Sequence, residues 1–119
     1  MRYGWTTIQV NNLDTSVAFY RDILHLPLTR RFQAGPGTEI AFLGEGETQI
    51  ELIQHTTEAP LVGKGISLGF VVDSLDDTLA TFAKQGIEIE SGSFQHNPRI
   101  KFFYLLDPSG VRIQISQTM

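Results

Sequence analysis

Trp5-Thr-Thr-Ile-Gln-Val-Asn-Asn-Leu-Asp-Thr-Ser-Val-Ala-Phe-Tyr20 and Ser67-Leu-Gly-Phe-Val-Val-Asp-Ser-Leu-Asp-Asp-Thr-Leu-Ala-Thr-Phe82 carry nearly the same message twice. At an offset of 62 positions, from 5 to 67, Val10 meets Val72, Leu13 meets Leu75, Asp14 meets Asp76 and Ala18 meets Ala80. Ser16 also meets Thr78, Val17 meets Leu79 and Tyr20 meets Phe82, so the apolar rhythm and the helix-start residues recur together. Ile50-Glu51-Leu52 returns as Ile113-Gln114-Ile115 at an offset of 63, one residue having been gained between the matched segments. The chain of 119 residues therefore holds two copies of one supersecondary unit. That length suits a single domain over residues 1–119, with module one at 3–54, a linker at 55–65 and module two at 66–116.

Periodicity supplies the elements of each copy. Tyr3 to Val10 alternates as a strand does, and from Asn11 to Leu24 the period becomes helical, with Asp14 as the expected N-cap and Pro27 as the stop. Val17, Tyr20, Ile23 and Leu24 form its apolar stripe. Leu28–Gln33, Glu39–Leu43 and Thr48–Gln54 read as three strands separated by Gly35-Pro36-Gly37 and Gly44-Glu45-Gly46. The second copy repeats the order: a strand over Ile66–Val72, a helix over Ser74–Gln85 ended by Gly86, and a short strand over Ile87–Ser91. A polar loop is expected over Ser91–Pro98, followed by a hairpin whose arms, Arg99–Leu106 and Val111–Ser116, meet across Asp107-Pro108-Ser109-Gly110. The fold class is α+β, two tandem βαβββ modules forming an open, cupped mixed sheet.

Composition excludes several classes of function. The 41% hydrophobic content with 18% charged residues belongs to a folded globular chain rather than a disordered one. A net charge of −4 without clustered Lys and Arg argues against nucleic acid as a partner, and adjacent Arg30 and Arg31 point to opposite faces of a strand. No apolar run approaches the roughly 20 residues of a membrane span. Zero cysteines removes disulfides and thiolate chemistry, and a cytoplasmic location is expected.

Strand alternation also sorts side chains between the two sheet faces. Thr6, Ile8, Val10, Ile50, Leu52, Leu68, Phe70, Val72, Val111, Ile113 and Ile115 belong against the helices. Trp5, Thr7, Gln9, Gln49, Glu51, Ile53, Ser67, Gly69, Arg112, Gln114 and Ser116 fall on the other face. That face has too little charge and too much Trp for a plain wet surface, which suggests a polar, partly enclosed concavity.

The tandem βαβββ pattern, Val-Asn-Asn-Leu-Asp leading into Ser-Val-Ala-Phe-Tyr, and the closing Leu-Asp-Pro-Ser-Gly-Val-Arg-Ile-Gln-Ile hairpin together resemble the vicinal oxygen chelate superfamily. That group includes glyoxalase I, methylmalonyl-CoA epimerase, extradiol dioxygenases, and fosfomycin- and bleomycin-resistance proteins. The resemblance places the metal-ligand positions of its metal-using members at Trp5, Glu51, Ser67 and Gln114, of which only Glu51 is a customary ligand. It therefore implies the metal-independent branch, with no metal and no cofactor, a small-molecule ligand and a homodimer. The expected ligand-binding residues are Trp5, Thr7, Gln9, Glu51, Ser67, Arg112 and Gln114. An aromatic or cationic ligand would suit Trp5 beside Glu51.

Three roles stay open for Glu51: recognition charge, partner of a cross-strand cation such as Arg112, or candidate general base. Trp5 is either a stacking surface or filler for a lost metal site. His25, His55 and His96 fit no ligand spacing and read as surface residues, His25 standing where glycine often follows a helix. The leading functional expectation is antibiotic or toxin sequestration. A glyoxalase-like metal-dependent lyase, isomerase or dioxygenase is the alternative, and an accessory protein with a vestigial cavity is a third.

Overall fold

The computed structural model describes residues 1–56, 60, 63 and 65–119. The chain divides into two compact units, Met1–Val62 and Gly63–Met119. Most of the expected linker, at 57–59, 61–62 and 64, lies outside the described residues. Among the described residues, no helix is long and apolar enough to cross a membrane.

Unit one contains β1 (Trp5–Gln9), α1 (Leu13–Ala18), β2 (Leu28–Gln33), β3 (Thr38–Leu43) and β4 (Gln49–His55). Its sheet order is β1-β4-β3-β2, with β1 parallel to β4 and the other pairs antiparallel. Alternation places Ile8, Ile50 and Leu52 in the core, where α1 packs on β3 and β4 through buried Leu13 and Val17. After Ala18 the helix widens into a π-helical turn over Phe19–Ile23, and both Phe19 and Tyr20 are buried there, edge to face at 5.2 Å. His25 then takes φ 62, the left-handed conformation that glycine usually supplies after a helix.

The N-cap differs from expectation. Asn12, in extended conformation, accepts the Thr15 N–H at 3.0 Å, so it caps the helix in place of Asp14. Asp14 lies inside the first turn, where a carboxylate complements the positive helix end, and it accepts a hydrogen bond from Arg31 Nη2 at 2.5 Å.

Unit two contains β5 (Ser67–Val71), α2 (Leu75–Lys84), β6 (Ser91–Asn97), β7 (Ile100–Leu106) and β8 (Arg112–Thr118). Its order, β5-β8-β7-β6, repeats that of unit one, again with the first and last strands parallel. Ser74 caps α2 and Gly86, at φ 73, follows it. In place of the short strand expected over Ile87–Ser91, residues 87–90 form a connection without strand structure, anchored by Ile87 N–H on Phe82 O and Glu90 N–H on Tyr104 O. The strand forms one step later, over residues expected to be a polar loop. It is an edge strand with two register shifts against β7, so Gln95, His96 and Asn97 stay exposed and lack the alternation of a half-buried strand.

The duplication extends to individual hydrogen bonds. Gln54 Oε1 accepts the first α1 N–H, of Leu13, at 2.6 Å, and Gln117 Oε1 accepts that of Leu75 in α2 at 2.7 Å. Val10 N–H donates to Ile53 O at 2.9 Å, and Val72 N–H to Ser116 O at 2.8 Å. Each pair keeps the sequence offsets of 62 and 63. Each module thus satisfies an orphan donor at its helix start with a glutamine from its own last strand.

Candidate functional site

The register of unit one sets Trp5 beside Gln49, Thr7 beside Glu51 and Gln9 beside Ile53 on the sheet face away from α1. β3 adds Phe42 opposite Glu51 and Ile40 opposite Ile53, and β2 adds Arg30 opposite Phe42 and Phe32 opposite Ile40. One cross-strand row therefore reads Arg30, Phe42, Glu51, Thr7. Its two end pairs are in side-chain contact. Thr7 Oγ1 donates to Glu51 Oε1 at 2.6 Å, and the Arg30 guanidinium carbon lies 4.6 Å from the Phe42 ring centre and 5.2 Å from that of Phe32. Trp5 stands edge-on to Phe42 at 5.5 Å while remaining 52% exposed. A groove of about 350 Å³ opens at this end of the face, lined by Arg2, Trp5, Thr29, Arg30, Phe42 and Gln49.

The corresponding face of unit two sets Ser67 beside Arg112 and Gly69 beside Gln114, with Tyr104 opposite Gln114. Gln114 Nε2 donates to the Tyr104 hydroxyl at 3.2 Å. Arg112, one possible partner for Glu51, is held within its own unit: Nε donates to Glu90 Oε2 at 3.2 Å, and the guanidinium lies 3.7 Å from the Tyr104 ring centre. Among the described residues no cation pairs with Glu51.

The side chains at the four positions to which the resemblance assigns metal ligands, Trp5, Glu51, Ser67 and Gln114, do not suit a divalent metal. The Trp5 indole nitrogen is only a donor, Ser67 and Gln114 are neutral, and Gln114 already bonds Tyr104. Glu51 alone offers a carboxylate, whereas zinc, nickel and ferrous iron favour several imidazoles and carboxylates together. Among the described residues no three His, Asp or Glu side chains gather where an ion would be held. The histidines stand apart: His25 is exposed, His55 Nδ1 shares a hydrogen bond with Thr38 Oγ1 at 3.0 Å, and His96 stacks on Phe94.

Unit one thus brings together Trp5, Thr7, Gln9 and Glu51, and unit two brings together Ser67, Arg112 and Gln114. Gln9 Nε2 is buried without a hydrogen-bond partner among the described residues. The sequence reading missed Arg2, Arg30 and Phe42. Arg30 had a usable signal, since alternation alone puts it on the face of Phe32, while Phe42 and Glu51 become neighbours only once the β3–β4 register is known.

A duplicated βαβββ scaffold, each copy a four-stranded mixed sheet with its first and last strands parallel, defines a class of α+β proteins. The match of residues 2–115 to the Glyoxalase/Bleomycin resistance protein/Dioxygenase superfamily makes the assignment specific: the chain belongs to that superfamily. It is 30% identical to YwbC of Bacillus subtilis, over 98% of this chain and 97% of that protein. It is 29% identical to lactoylglutathione lyase of Neisseria meningitidis, covering 98% and 91%. Its fold superposes on TnmS3, an antibiotic binding protein from Streptomyces sp. CB03234, with a TM-score of 0.77 at 19% identity, covering 100% and 97%.

Proposed function

We propose that this is a metal-independent small-molecule-binding protein that sequesters an antibiotic or toxin, acting in the cytoplasm as a homodimer. The observation that carries the reading is the groove beside Trp5, where an exposed indole, a guanidinium stacked on phenyl rings and an amide converge around space of ligand size. The fold likeness to an antibiotic binding protein supports it. Pairing of subunits is supported by β2, an edge strand exposed along its whole length that a second copy would cover. Titration with a library of aromatic antibiotics, read by the emission of the single tryptophan, tests the reading. A saturable change that is absent for a Trp5→Phe variant by calorimetry as well is expected. Stoichiometric zinc, nickel or iron lost in Glu51→Ala would overturn the metal-independent assignment.

A second reading has its own support. Identity to a lactoylglutathione lyase and the Thr7-bonded Glu51 carboxylate favour a glyoxalase-like lyase, with Glu51 as base or ligand. Turnover of methylglyoxal–thiol adducts with added divalent metal, abolished by Glu51→Gln, would replace the binding reading with this one.

A further inference from the structure

We infer that the groove beside Trp5 selects an aromatic acid, a planar ring bearing a carboxylate, sulfonate or phosphonate, rather than a cationic ligand. This rests on the binding reading above and adds the sign of the ligand's charge. The chain carries a net −4, yet among the described residues the charged side chains lining the groove are Arg2 and Arg30. The charge of that described lining is opposite to that of the whole molecule.

Arg30 is built for this role. It is exposed, and no carboxylate pairs with it among the described residues. Its neighbour Arg31 points to the opposite face and is consumed there, Nε donating to Glu39 at 2.9 Å and Nη2 to Asp14 at 2.5 Å. The Phe42 and Phe32 rings pack against the Arg30 guanidinium, whose carbon lies 4.6 and 5.2 Å from their centres. With no described carboxylate on them, its N–H groups are left for an acceptor, and the planar fork they form matches a carboxylate.

Glu51, the one carboxylate in the same row, lies outside the groove lining and already accepts a hydrogen bond from Thr7. A cation in the groove would face Arg2 and Arg30, and Glu51 is not among its described lining residues. Phe42 separates Trp5 from Arg30, at 5.5 Å and 4.6 Å respectively, so ring and guanidinium are at most about 10 Å apart. One small rigid molecule reaches both, its ring on the exposed indole and its acid on Arg30.

The test uses three probes that share a ring and differ in charge: naphthalene-2-carboxylate, 2-naphthylmethanol and 2-naphthylmethylammonium. Binding is followed by the indole N–H resonance of Trp5, the single tryptophan, and by calorimetry. The carboxylate is expected to bind about tenfold tighter than the alcohol, as a charge-assisted bidentate contact implies, with the ammonium weakest. Arg30→Gln should bring the three probes to within about threefold of one another without removing ring binding, and Arg2→Gln should reduce the carboxylate's advantage in part. The exposed positions of both arginines leave folding intact, checked by an unchanged thermal midpoint. If the ammonium binds tightest, or Arg30→Gln leaves the order unchanged, the acid preference is wrong while the groove remains a binding site. If none of the probes binds, the groove reading fails and the charge preference falls with it.

Discussion

The two modules share a scaffold and differ in what they place on it. Asn12 and Ser74 cap corresponding helices, Gln54 and Gln117 meet the first helical N–H groups, and parallel first and last strands close both sheets. On the sheet faces turned away from the helices the correspondence stops. Trp5 in module one is matched by Ser67, Thr7 by Gly69 and Glu51 by Gln114. Both modules contain an arginine beside an aromatic ring, but Arg112 is tied to Glu90, whereas no carboxylate pairs with Arg30 among the described residues. Core and cap positions answer to packing and hydrogen bonding that each copy must satisfy, so they are held in common. Face positions carry no such constraint, and there the two modules diverge.

The largest effects should be symmetric. Leu52 and Ile115 occupy matching strand positions and are 0% and 1% exposed, so Leu52→Ala and Ile115→Ala should each cost about 2–5 kcal/mol in denaturant unfolding. A large cost in one module and almost none in the other would break the shared-scaffold comparison. Asp107 is the next test, and an asymmetric one. It is buried in the β7–β8 turn, where Oδ1 accepts the Ser109 and Val111 N–H groups at 2.9 and 2.8 Å. Asp107→Ala should cost about 2–3 kcal/mol, while Glu45→Ala, at the exposed matching position of module one, should fall within about 0.5 kcal/mol of zero.

Smaller again are the paired caps. Gln54→Ala and Gln117→Ala should each lose about 1 kcal/mol, read as thermal midpoints, because each leaves one helix-start N–H without its partner. The smallest effect belongs to Arg31, whose ionisation is pushed further up by its hydrogen bonds to Glu39 and then Asp14. It ties β2 and β3 to α1, and none of the described ion pairs joins α2 to its sheet. With its partners largely exposed, Arg31→Ala should cost about 0.2–1 kcal/mol and become less costly as salt is raised.

Much of the scaffold could be read from the sequence because a repeat reports packing twice. Seven of the eight strands among the described residues fall where alternation puts them, to within a residue or two at the ends. β6 escaped because an exposed, bulged edge strand has no buried face to impose a period on Ser91–Asn97. Asp14 was mistaken for the cap because both Asn12 and Asp14 are good capping residues, and only backbone geometry chooses between them. The face residues of β1 and β4 followed from parity alone. Arg30 and Phe42 did not, since their place beside Glu51 depends on the pairing of β2, β3 and β4, which no local pattern encodes.

Recognition in module one is tested most directly by amide and indole chemical-shift mapping while a library of small aromatic fragments of all charge types is titrated. The expected result is a set of perturbations centred on Trp5, Arg30, Phe42 and Gln49, with the matching face around Ser67, Tyr104 and Gln114 largely unmoved. Perturbations centred on the module two face with Trp5 silent would contradict the assignment of the binding chemistry to module one.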